Sequence, residues 1–136
     1  MILKRYLKYI LISFSLMLMS YQSFGSNMKE AYIKDLKAVK EIKGSGDNKL
    51  LTLIRKSSDE LVDEWSPELA KELCRVYDKL LNVNQNYFLS ELIGPVMKKR
   101  KKEFLPIFNK VVSKKNRELH KKLEEMVERE TREGNG

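Results

Sequence analysis

The chain holds one cysteine, one histidine and one tryptophan among its 136 residues. A lone cysteine excludes an intramolecular disulfide framework and any Cys-rich zinc module. The lone histidine, His120, has Glu124 one turn on. That pair supplies two metal ligands, and a zinc site needs three or four. His120 would also be the sole imidazole base for Cys74 or for any serine nucleophile, and no G-x-S-x-G stands anywhere in the chain. Three prolines and six glycines exclude collagen-like and Pro/Gly-rich disordered classes. Gly44 and Gly46 follow a helical stretch rather than a strand, so they make neither a phosphate loop nor a dinucleotide turn. The carboxylate pairs Asp59/Asp63 and Glu60/Glu64 have helix-surface spacing. These shortages leave no complete set of acid, base and nucleophile. The expectation is a binding protein, not an enzyme, with no cofactor and no metal.

Long apolar runs are also scarce. The longest uncharged apolar stretch is Ile10 to Met19, ten residues, about half of what a spanning helix needs. Lys4, Arg5 and Lys8 precede it, a more polar SYQSFG follows, and Ser23 and Gly25 stand at −3 and −1 of a cut before Ser26. Residues 1–25 therefore read as a Sec-type signal peptide that is removed on export. The expected location is the periplasm or outside a bacterial cell; the competing reading is an N-terminal anchor in the inner membrane. The formal charge is +8. Residues 1–25 contribute three basic and no acidic side chains, so residues 26–136 carry +5.

What remains is helical throughout. Residues 26–133 read as one all-α domain, a small bundle of four to five helices with a long charged C-terminal helix, and 134–136 as a frayed tail. Met28, Tyr32, Leu36, Val39 and Ile42 draw one apolar stripe to about Lys43. Gly44 to Asp47 stop it, and Asp47 is placed to cap the next helix, to about Trp65. Ser66-Pro67 starts a third, through Leu69, Leu73, Val76, Tyr77 and Leu80. Cys74 lies near that stripe and reads as a buried small hydrophobe. Tyr87 to Met97 is strongly apolar, and Gly94-Pro95 should end or kink it. Trp65, Tyr77, Tyr87, Phe88, Phe104 and Phe108 have core spacing.

The last helix is expected over residues 104–132. Leu105, Val112, Leu119 and Met126 recur every seven residues, with Phe108 and Leu123 on the same side. This coiled-coil-like seam is a candidate surface for a partner helix or a second copy. Charged neighbours place His120 on the surface. From Lys98 to Lys122 there are eleven basic and two acidic residues. Lys98, Lys99, Arg100, Lys101, Lys102, Lys110, Lys114 and Lys115 are the candidate contacts for an anionic surface, lipid headgroups or glycopolymer. The plain alternative is a solvated face, or internal pairing with the acidic stretch from Asp59 to Glu72. Two functions are thus expected in order: an exported helical module acting by protein–protein contact, then a cationic binder of anionic surfaces. Export counts against nucleic acid.

Overall fold

The computed structural model describes residues 28–134. The segment read as a signal peptide lies outside the described residues. Tyr32–Gly136 forms a compact unit, and it holds the architecture that follows from Tyr32 of the first helix onward. Every regular element among the described residues is a helix. In chain order they are α1 (residues 28–37), α2 (Asn48–Asp63), α3 (Pro67–Val83), α4 (Leu89–Leu92), α5 (Gly94–Lys99), α6 (Lys101–Val111) and α7 (Lys114–Gly134).

α3 is the axis of the bundle. Leu69, Ala70, Leu73, Cys74, Val76, Tyr77, Leu80 and Leu81 are all buried, more of the helix surface than one amphipathic stripe covers. Neighbours therefore pack on several sides of it: α2, α6 and α7 all touch α3. Its start is the one the sequence predicts. Ser66 Oγ accepts from Leu69 N–H at 3.2 Å, with Pro67 in the first turn, where its missing N–H leaves nothing unsatisfied. Asp47 likewise caps α2, accepting from Leu50 N–H at 2.8 Å.

Polar side chains of α3 also hold the segment before α2. Arg75 donates to the carbonyls of Leu36 (2.7 Å) and Val39 (3.0 Å), while its Nε meets Glu72 at 2.8 Å. Lys79 donates to Lys40 O and Asn84 to Ser45 O. α1 stops at residue 37, short of Lys43, and the Arg75 guanidinium takes the Leu36 carbonyl in its last turn and the Val39 carbonyl just beyond it. Gly46 closes the turn at φ +89°, a conformation open to glycine, with Leu80 occupying the space beside a β-carbon's position.

Among the described residues seven helices stand where four or five were expected, because two predicted helices are each split. The apolar run after Tyr87 breaks at Ile93. The break falls directly before Gly94-Pro95, as expected, and Pro95 then stands in the first turn of α5, where proline is tolerated. The helix expected over 104–132 begins earlier, at Lys101, and breaks at Val112-Ser113. Pro106 lies inside α6 on its exposed face, so the carbonyl it leaves unbonded faces water. Gly134, expected in the frayed tail, is the last residue of α7; 135–136 lie outside the described residues.

Candidate polyanion interface

The Val112-Ser113 break decides which way α7 faces. Asp78 on α3 causes it. Its carboxylate accepts from Ser113 N–H (3.0 Å), Ser113 Oγ–H (3.1 Å) and the Asn116 side-chain amide (2.8 Å). Ser113 Oγ then accepts from Asn116 N–H at 3.4 Å and serves as the N-cap of α7. A carboxylate at a helix N-terminus also suits the helix dipole. The buried Asn116 nitrogen also lies 2.9 Å from Asp78 O and from Asn82 Oδ1, so its two hydrogens are shared among three acceptors.

One turn along α7, His120 is buried, not on the surface as its charged neighbours suggest. Successive residues differ by 100° around a helix, so Lys121 and Lys122 point outward while Asn116, His120 and Leu123 form the inward stripe. Tyr77 Oη lies 2.7 Å from His120 Nδ1, and the other ring nitrogen faces Glu124. The Tyr77 and Phe108 rings flank the imidazole, with centroids 5.6 and 5.2 Å away. Burial pushes the Tyr77 phenol well above its ordinary range, and the nearby Glu124 carboxylate adds to that. Further along, Glu130 lies beside the Tyr87 hydroxyl and raises it too.

This inward stripe overturns the seam expected for a partner helix. Phe108, Val112 and Leu123 are buried in the chain's own core. Leu105 and Leu119 are half-buried against that core, and only Met126 is exposed. The seven-residue recurrence therefore marks intramolecular packing interrupted by a break. Phe88 also departs from expectation: it is exposed at the start of α4. Cys74 is buried as expected, and burial first, then Asp78, pushes its thiol far above the ordinary range. That environment opposes thiolate formation.

The basic residues divide. Arg100 is spent inside the fold. Its Nε and Nη2 both donate to Val62 O, at 3.2 and 3.0 Å, closing the C-terminus of α2. It is withdrawn from the anion-binding set for that reason. Lys98, Lys99, Lys101, Lys102, Lys110, Lys114 and Lys115 are all exposed, and so are Lys121 and Lys122 at the end of the same basic region. On α7, Lys114 and Lys121 lie about 10 Å apart at 1.5 Å per residue, as do Lys115 and Lys122, on the side opposite the buried stripe. Their seven-residue spacing was visible in the sequence, but only the direction of α7 shows that they share an outer face. Two acidic residues of the Asp59–Glu72 stretch pair outside the basic segment, Glu68 with Lys37 and Glu72 with Arg75.

Two concavities complete the surface. A groove of about 810 Å³ runs between the α1–α2 segment and α2, floored by Tyr32, Val39, Ile42, Leu50 and Leu53. A smaller hollow of about 130 Å³ lies over His120, walled by Ser90, Glu91, Lys98 and Glu124. Among the described residues, no group of three or more His, Cys, Asp or Glu side chains is placed to hold a metal, and no helix is long and apolar enough to cross a membrane. In comparisons with known proteins, no family, no curated protein and no solved structure matches this chain.

Proposed function

We propose that this protein is an exported helical binding module that engages a densely anionic surface, of lipid headgroups or glycopolymer, through the lysines on the outer faces of α5, α6 and α7. The observation that carries this is the outward display of Lys98, Lys99, Lys101, Lys102, Lys110 and the four lysines of α7 while Arg100 turns inward. Lysines held in solvent retain their charge and release counterions on meeting an array of anionic groups. Near an anionic membrane each is worth about 1 kcal/mol.

Salt decides the matter. Retention on heparin or on phosphatidylglycerol vesicles should fall steeply between low and physiological ionic strength. Changing Lys98, Lys99, Lys101 and Lys102 to Gln should weaken it by more than a hundredfold, since four such contacts sum to about 4 kcal/mol. Retention that ignores both salt and the four substitutions would reject the proposal. Heparin and vesicles are separate arms, so the result also tells polymer from membrane.

A second reading, contact with a protein partner, is favoured by the groove beside α2, whose apolar floor offers the kind of surface an amphipathic segment covers. Leu53→Asp, on that floor, should then abolish partner capture in the export compartment and leave heparin retention unchanged.

A further inference from the structure

His120 joins two helices through a hydrogen bond whose direction depends on its charge. Tyr77 is fully buried, and His120 is the hydroxyl's one hydrogen-bond partner among the described residues. The phenol hydrogen therefore points at His120 Nδ1. That nitrogen must carry a lone pair, so the ring is neutral, with its proton on Nε2 facing Glu124. A protonated ring carries hydrogens on both nitrogens. Nδ1–H would then face the Tyr77 oxygen, and the phenol hydrogen would have to turn into a space with no acceptor. Orphaning a buried donor carries the full cost of its desolvation.

The surroundings come from five helices. α3 supplies Tyr77 and α6 supplies the Phe108 ring. α4 and α5 bring Ser90, Glu91 and Lys98 to the hollow over the ring, and α7 adds Glu124 and Glu128. Glu91, Glu124 and Glu128 favour a charged ring; Lys98, the aromatic walls and burial oppose it. Glu124 is half-exposed, so water screens its pull. Burial prevails, and the ring holds its proton less readily than free imidazole, with Glu124 a partial offset.

We propose that α7 is latched to α3 by a contact that only neutral His120 can make, so that acidification releases α7 from the bundle. The sign follows from linkage. The docked ring titrates below its ordinary value of about 6.5, so the released state takes up the proton first. The latch is whole above about pH 6.5 and is lost as the pH falls through the lower, docked value. Release would uncover Leu123 and the His120 hollow and free the helix that carries Lys114, Lys115, Lys121 and Lys122. The latch is independent of what those lysines bind.

The test uses the protein as cells produce it. With one histidine in the chain, a single imidazole resonance reports the site by NMR. It should titrate below 6.5 between pH 8 and pH 4. Hydrogen-exchange protection of α7, corrected for intrinsic rates, should fall at least tenfold along that same curve while α3 amides hold. Tyr77→Phe keeps the ring buried but removes the hydroxyl, and it should move the imidazole midpoint up toward 6.5. His120→Gln should flatten the pH dependence of α7 protection. A wild-type midpoint at or above 6.5 overturns the latch. So does α7 protection that fails to follow the imidazole curve, or a midpoint unmoved in Tyr77→Phe.

Discussion

α3 and α7 are both amphipathic and are the two longest helices among the described residues, yet they are held by different physics. α3 buries eight side chains, all apolar apart from the Tyr77 hydroxyl and the Cys74 thiol. α7 buries three: an asparagine, a histidine and one leucine. Apolar burial is non-directional and scales with area, so α3 can serve as the axis for partners on several sides. Hydrogen bonds are directional and costly to leave half-made. α7 therefore has one orientation, set by Asp78, Asn82 and Tyr77 of α3. The helix built on area should be indifferent to pH and should fail only when the whole fold fails. The helix built on hydrogen bonds should answer to pH and fail by itself.

Breaking the apolar half should have the largest effect. Leu80→Ala removes a fully buried side chain. It should cost about 2–5 kcal/mol of global stability, read as a lower urea midpoint that affects amides of α2, α3 and α6 together. Asp78→Ala attacks the polar half. It strips three donors of their shared acceptor, a loss of about 1–3 kcal/mol. Hydrogen exchange should show α7 opening while α3 stays protected; a uniform loss across both helices would mean the two are one cooperative unit. Gly46→Ala tests the turn that leans on α3. A β-carbon there would sit at φ +89° and 3.1 Å from Leu80 Cδ1, costing about 1–2 kcal/mol. Met126→Gln should be the mildest, within about 0.5 kcal/mol, because the side chain is exposed. A large loss of stability there would restore the seven-residue seam as a packing surface.

Much of this was readable beforehand. The caps at Asp47 and Ser66, the apolar stripe of α3 and the burial of Cys74 rest on local rules, and each stands where residue spacing put it. Each misreading has its own cause. Leu105, Val112, Leu119 and Met126 keep their heptad spacing straight through Ser113, so nothing nearby announces a break. The group that makes it, Asp78, is 35 residues away. His120 reads as a surface residue for a different local reason, its charged neighbours, and only the orientation of α7 shows that it points inward. Arg100 looks like any other member of KKRKK until the C-terminus of α2 is placed beside it.

Helix type, the rough extent of the core and the concentration of positive charge after Met97 were determined by the sequence alone, because periodicity, capping and charge are properties of neighbouring residues. Tertiary structure decided which polar groups were to be hidden. The buried Asn116 side-chain nitrogen, a neutral His120 and an inward Arg100 each meet a group from a distant part of the chain, and burying a polar group without such a partner is costly.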